Sequence, residues 1–274
     1  MKITIVGLGI IGGSYAKGLS LKGHEIYGVD KDVDTIKYAL ENGYIIKGDI
    51  VPDKLIPISD MVIIGLYPDA IIPFIKENKH LFKEGTVVTD VCGVKTPVCY
   101  EATKLLDNSM FVGSHPMAGR EKVGIRYSDE KIFKGTNFLI CPIAETNPLA
   151  ILKVKEIAHD LEFGKIHEIS PEFHDDMIAY TSQLTHAIAV SLVNISNSES
   201  TNKFIGDSYR DLTRIAMINE KLWSQLFMDN KDALIKQIDE FQSELESLKS
   251  AISSENFNVL EEKFISSKKK REVM

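Results

Sequence analysis

The chain alternates short apolar runs with stretches in which apolar residues recur at helical spacing. The apolar runs occupy residues 2–7, 25–29, 61–66, 86–91 and 110–113 and are rich in Ile, Val and Met. A strand with one face in water alternates polar and apolar positions. These runs are apolar almost throughout, which suits parallel strands buried on both faces. Helical spacing fills residues 11–21, 33–42, 69–79 and 97–106 between them. This β–α alternation predicts an α/β fold built on a doubly wound sheet. Residues 137–142 and 165–169 read as closing strands, with a helix over about 148–163 between them.

The pattern changes at Ser170. Pro171 opens a long stretch, PEFHDDMIAYTSQLTHAIAVSLVNIS, with no glycine and no further proline. Serine as N-cap, proline at the first helical position and Glu172 in the first turn mark a helix start. Helices are expected again over 208–217, 221–249 and 255–267, and no later segment reads as a strand. The expected organisation is a sheet-containing domain over residues 1–170 and an all-helical C-terminal domain over 171–274. Phe227, Leu234, Ile235, Ile238, Phe241, Leu245 and Leu248 recur at helical spacing. That is more apolar surface than a lone terminal helix needs. It is met either by burial against the long helix or by pairing two copies of the chain.

Composition narrows the function classes. With 44% apolar and 26% charged residues the chain has the balance of a folded globular protein, which excludes a disordered one. Its net charge of −7 disfavours nucleic acid as a partner. An acidic protein that takes an anionic substrate must gather positive charge locally, so single Arg and His side chains become informative. The basic run Lys268-Lys269-Lys270-Arg271 reads as a solvated tail. Cys92, Cys99 and Cys141 lack metal-ligand spacing and fit free thiols in a reducing cytoplasm. No apolar run approaches the ~18 residues of a membrane span, so a soluble cytoplasmic protein is expected.

Gly7-Leu8-Gly9-Ile10-Ile11-Gly12 is a G-x-G-x-x-G motif set between a strand and a helix, the context of a Rossmann-type dinucleotide site. Gly7 allows the tight turn, Gly9 lets backbone approach a pyrophosphate, and Gly12 brings helix and sheet together, so that the helix N-terminus faces the phosphates. Asp30 ends the second strand, 18 residues beyond Gly12. A carboxylate there accepts both ribose hydroxyls and repels a 2′-phosphate, so NAD is expected over NADP. Lys31 partly offsets that repulsion. Asp90 ends another strand and has two readings, a contact at the cofactor edge or a cap for the helix after Lys95.

Gly113-Ser114-His115-Pro116-Met117-Ala118-Gly119-Arg120-Glu121 follows a buried strand and emerges where doubly wound sheets bind ligands. A histidine titrating near ~6.5 is suited to accept a proton at neutral pH, which makes His115 the candidate base. The segments GLGIIGGS, TDVCGVK, GSHPMAG, SPEFHD, TSQLTHAIAVSL and DSYRDLTRIA followed by LW lie in order between residues 6 and 223. Together they resemble the prephenate dehydrogenase family.

The resemblance implies NAD-dependent oxidative decarboxylation of prephenate to 4-hydroxyphenylpyruvate on the route to tyrosine. It implies that His115 accepts the C4 hydroxyl proton as hydride leaves C4 and the C1 carboxylate departs as carbon dioxide. It also makes Arg214 the holder of the ring carboxylate, with Asp211 three residues earlier to orient it. His186, with Ser182 four residues before, lies toward the pyruvyl end. The implied assembly is a homodimer through the helical domain.

One departure stands out. The family commonly carries a serine where this chain has Gly93, leaving Ser114, Thr96 or a water to supply that hydroxyl.

Three alternatives remain. Arogenate carries an amine in place of the ketone, and Arg120 would disfavour it if it lines the site. A 3-hydroxyacid dehydrogenase usually employs a lysine on the long helix, and residues 171–202 contain none. A non-catalytic NAD-responsive regulator would not need His115 and Arg214 together.

Overall fold

The computed structural model describes residues 1–106, 110–119, 122–196 and 200–273. Six strands follow one another through its first half: β1 (Lys2–Val6), β2 (Glu25–Val29), β3 (Lys47–Asp49), β4 (Met61–Ile64), β5 (Val87–Asp90) and β6 (Phe111–Pro116). β7 (Asn137–Cys141) and β8 (Lys165–Glu168) complete a sheet ordered β3-β2-β1-β4-β5-β6-β7-β8. All pairs are parallel except β6–β7. The apolar runs become the buried central strands, as their lack of alternation requires. β3 was not anticipated. Its sequence, Lys-Gly-Asp, has no apolar run, and it pairs only along β2 at the sheet edge.

Helices cover both faces. α1 (Ile10–Leu21), α2 (Val33–Glu41) and α5 (Pro148–Asp160) bury Tyr15, Leu19, Ile36, Val154 and Ile157 in one core layer with Ile3, Ile5 and Val112. α3 (Pro68–Asn78) and α4 (Thr96–Leu105) bury Ile71, Ile75, Val98 and Ala102 in the other, with Val88 and Phe111. Neighbouring strand residues therefore face opposite layers. This is a doubly wound, Rossmann-type sheet.

Beyond Glu168 the described chain is helical. α6 (Pro171–Ile178), a single π turn (Ala179–Gln183) and α7 (Leu184–Asn194) run on from the Ser170 cap, whose hydroxyl accepts from Phe173 N at 3.2 Å. α8 (Asp207–Thr213) passes into a 3-10 turn at Arg214–Ala216, and α9 (Glu220–Asp229) follows. The helix expected over 221–249 is interrupted at Asn230. Its side chain donates instead to Asp175 O and Gln183 Oε1, both at 2.8 Å, and α10 (Lys231–Ser253) starts afresh.

By internal packing the chain divides at that break, into Met1–Asn230 and Lys231–Met274. The change from mixed to helical structure comes earlier, at Ser170, and α6 to α9 pack within the first unit. In the second unit α10 and α11 (Phe257–Glu272) are linked by Lys263 and Glu244 at 2.8 Å. No helix of the described residues is long and apolar enough to cross a membrane.

Candidate active site

The glycine turn is built as its spacing requires. Gly7 has φ of 87°, and a Cβ there would lie 2.6 Å from Gly65 O. A Cβ on Gly12 would meet Gly7 O at 1.9 Å, so the start of α1 touches the turn directly. Gly9 faces open space. It is the N-cap of α1 and brings no side chain to the first backbone N–H groups, which suits an anionic group approaching the helix end. Asp30 is fixed by Leu8 N at 2.7 Å and Asp32 N at 2.9 Å. Glycine turn and carboxylate thus sit side by side, a fit for a pyrophosphate and an adjoining ribose.

His115 lies near the C-terminal end of β6, three strands along from β1. At ~4.8 Å per strand that is roughly 14 Å along the sheet edge. Its Nδ1 is 2.9 Å from Nε2 of His174, and Nδ1 of His174 is 2.7 Å from Oδ1 of Asp175. Asp175 also accepts from Lys95 N and Thr96 N at 2.8 Å each, capping α4. Burial, then neighbouring His174 and the Lys95 ammonium, hold the His115 pKa well below the usual histidine value. Burial likewise depresses His174. It works against the Asp175 carboxylate, but hydrogen bonds from His174 and Thr96 outweigh it and keep Asp175 ionised.

Under this group lies a buried ion pair. Lys95 Nζ donates to Asp90 Oδ2, and neither side chain has any exposure. Burial opposes the lysine charge, yet Asp90 outweighs it and holds the Lys95 pKa above its ordinary value. Asp90 also accepts from Cys92 N at 2.9 Å and Ser114 N at 3.3 Å, shaping the turn between β5 and α4. Within that turn, a Cβ on Gly93 would lie 3.7 Å from His115 Cε1 and 3.3 Å from Leu226 Cδ2.

α9 closes the site from the helical side. Leu226 is buried against the turn, and burial of its whole side chain contributes ~1.5–3 kcal/mol. One turn earlier Trp223 stacks on His186 at 3.6 Å between ring centroids. The His186 Nδ1–H donates to Ser182 O at 2.9 Å, which fixes the ring plane. Buried Gln183, carried inward by the π turn, donates to Leu226 O at 2.8 Å. Single π turns often mark functional positions. The Arg214–Ala216 turn packs against α7.

A family model described as the nucleotide-binding domain of prephenate dehydrogenase matches residues 15–166, and one described as its dimerization domain matches 170–266. The chain belongs to the prephenate dehydrogenase family. It is 30% identical to the Aquifex aeolicus prephenate dehydrogenase solved with hydroxyphenyl propionate and NAD+, with a TM-score of 0.90 over 99% of this chain and 98% of that one. It is 29% identical to the cyclohexadienyl dehydrogenase of Zymomonas mobilis over 98% of this chain and 94% of the relative. The Synechocystis arogenate dehydrogenase is 25% identical, with a TM-score of 0.85 and 99% of each chain covered. This member of the prephenate dehydrogenase family is an NAD-dependent dehydrogenase of the prephenate/arogenate class.

Several site residues of this dehydrogenase stand differently from the sequence-based expectation. Asp90 ends β5 at the cofactor edge, but its side chain has no exposed surface and does not cap α4. It is turned inward onto Lys95, and Asp175 caps the helix. Ser114 is buried on the opposite face of β6 from His115, because adjacent strand residues alternate. Its hydroxyl donates to Asp90 O at 2.6 Å and accepts from Thr89 Oγ1 at 3.0 Å. Thr96 is engaged with Asp175. Neither hydroxyl bonds to His115 among the described residues.

Ser182 contributes its carbonyl, to His186. Asp211 forms no ion pair with Arg214 among the described residues, although three residues separate them. The pair that forms is Asp207–Arg210, at 2.8 Å. Arg120 and Glu121 lie outside the described residues. Burial pushes the Cys92 thiol up to about 12, which removes it as a nucleophile near neutral pH. Lys95, His174 and Asp175 were not singled out from sequence, although TDVCGVK and SPEFHD contain them.

Proposed function

We propose that this dehydrogenase oxidises and decarboxylates prephenate to 4-hydroxyphenylpyruvate, with His115 as general base. The observation that carries the reading is the setting of His115. It is half-buried at a strand end, backed by His174, and kept neutral by a depressed pKa, so that it can accept a proton at physiological pH. Likeness along nearly its whole length to the prephenate enzyme of Aquifex aeolicus, at 30% identity, supports prephenate as a substrate.

His115 takes the C4 hydroxyl proton, and the pyruvyl end of the substrate lies toward His186, held by its stack on Trp223. Arg214 binds the ring carboxylate, a task suited to a guanidinium fork. The backbone at Gly9 and the start of α1 receives the pyrophosphate, and Asp30 receives the ribose hydroxyls. Bound NAD supplies the hydride acceptor.

Arg214→Gln tests the substrate assignment. It is expected to raise KM for prephenate by tenfold or more and to leave KM for NAD within about twofold, because charge-assisted bonds are worth ~1.5–3 kcal/mol. Equal weakening of both would make Arg214 structural. In the same assay Asp30 should give NAD the higher kcat/KM over NADP, and Asp30→Ser should narrow the ratio. A wild-type preference for NADP contradicts that role.

A homodimer through the helical half completes the proposal, supported by exposed Ile235, Leu245 and Phe264 and by the matched dimerization-domain description. Sedimentation should return twice the 30.6 kDa chain mass, and a 30.6 kDa species alone would remove this part.

A further inference from the structure

Three buried or half-buried side chains, two of them without an assigned role, lie in line: His115, His174 and Asp175. His174 has no exposed surface and Asp175 almost none, so neither has a solvent partner that could substitute for the other. We propose that His174 and Asp175 are positioning residues that lock His115 in one tautomer, with the proton on Nδ1 and the Nε2 lone pair directed to the substrate. The proposal rests on the reading of His115 as the base.

The assignment follows from donors and acceptors alone. Asp175 is ionised and holds no proton, so the 2.7 Å contact to its Oδ1 requires a proton on His174 Nδ1. Burial keeps His174 neutral, which leaves its Nε2 as an acceptor. The 2.9 Å contact from that atom to His115 Nδ1 then requires the proton on Nδ1 of His115. A neutral imidazole carries one proton, so Nε2 of His115 bears the lone pair. When Nε2 takes a proton from the C4 hydroxyl, the new positive charge on His115 faces a neutral acceptor backed by a carboxylate. No second proton has to move.

Asp175 is itself immobilised. Its carboxylate is held by His174, Lys95 N and Thr96 N, and its backbone carbonyl accepts from buried Asn230. These contacts tie α6, the start of α4 and the end of α9 to one residue. The register of three elements thus reaches the protonation pattern of a ring on β6. A relay of this kind orients a base without exchanging protons through its length.

The test reads the tautomer directly. ¹⁵N spectra of the imidazole rings would be recorded on NAD-saturated enzyme, with the His115 signals assigned by their loss in His115→Asn. Wild type is expected to show His115 protonated at Nδ1 and unprotonated at Nε2. His174→Leu removes the acceptor at similar volume. It is expected to shift His115 toward the Nε2–H form and to lower kcat at least tenfold, and by no more than the ~10²–10⁴ a general base supplies. Its affinity for NAD should stay within about twofold.

His115 protonated at Nε2 in the wild type would overturn the proposal, whether or not the variant folds. So would a His174→Leu enzyme that keeps wild-type kcat, or one that loses activity while His115 retains the Nδ1–H form. Failure of the underlying reading looks different. Turnover would then survive in His115→Asn, while the wild-type spectrum still decides the tautomer.

Discussion

Replacing His115 with asparagine is expected to lower kcat for prephenate by ~10²–10⁴, the contribution of a positioned general base. That range corresponds to ~2.7–5.5 kcal/mol of barrier. Asparagine keeps a polar group near the ring position but offers no basic nitrogen, so binding of NAD and prephenate should change little. The pH profile separates the base from a binding role. Wild-type kcat/KM should fall on the acid side as His115 gains a proton. Because burial and His174 depress its pKa, that fall should come well below pH ~6.5, the unperturbed histidine value. Activity is thus fully present at neutral pH and lost only as pH drops through the depressed pKa. The asparagine variant should lack this limb. A limb of unchanged position in the variant would assign the proton acceptor elsewhere.

Lys95→Met is expected to destabilise the fold by ~3–5 kcal/mol, because it leaves the Asp90 carboxylate buried without its counter-charge. Against a typical total of ~5–15 kcal/mol this is a large fraction. The melting temperature should fall on the order of 10 °C. Partial recovery is expected from Lys95→Met with Asp90→Asn, since the amide removes the stranded charge and its oxygen can still accept from Cys92 N or Ser114 N. Full recovery is not expected, as the carboxylate serves both donors at once. Activity should fall as well, because the turn held by this pair carries Gly93 past the His115 ring. Thermal unfolding of the three proteins checks the claim. A single variant within ~1 kcal/mol of wild type would show that the pair is worth little.

The sheet was legible because central parallel strands are apolar on both faces, a pattern that few other elements share. Lys47–Asp49 was not, since an edge strand that pairs on one side needs no apolar run. The stop at Asn230 was equally hidden. It depends on Asp175 and Gln183, which lie far away in sequence, and not on a local breaker.

Site chemistry divided in the same way. The glycine turn, Asp30 and His115 sit at strand ends whose edge is fixed by topology. Ser114 and Asp90 share that edge, but which face a strand residue takes, and what waits there, is decided by packing. Ser114 faces away from His115, and Asp90 faces a lysine that only the turn brings near. His174 and Asp175 looked like the first turn of an ordinary helix. Their role appears only when α6 is laid across the end of β6.

The proposed reaction couples oxidation to loss of the ring carboxylate, and one assay reads both halves of it. NADH formation and carbon dioxide release would be followed together on the wild-type enzyme with NAD and either prephenate or arogenate. Equimolar NADH and carbon dioxide are expected from prephenate, with a higher kcat/KM than for arogenate. Absence of both products from prephenate, or NADH without carbon dioxide, would contradict the proposed reaction.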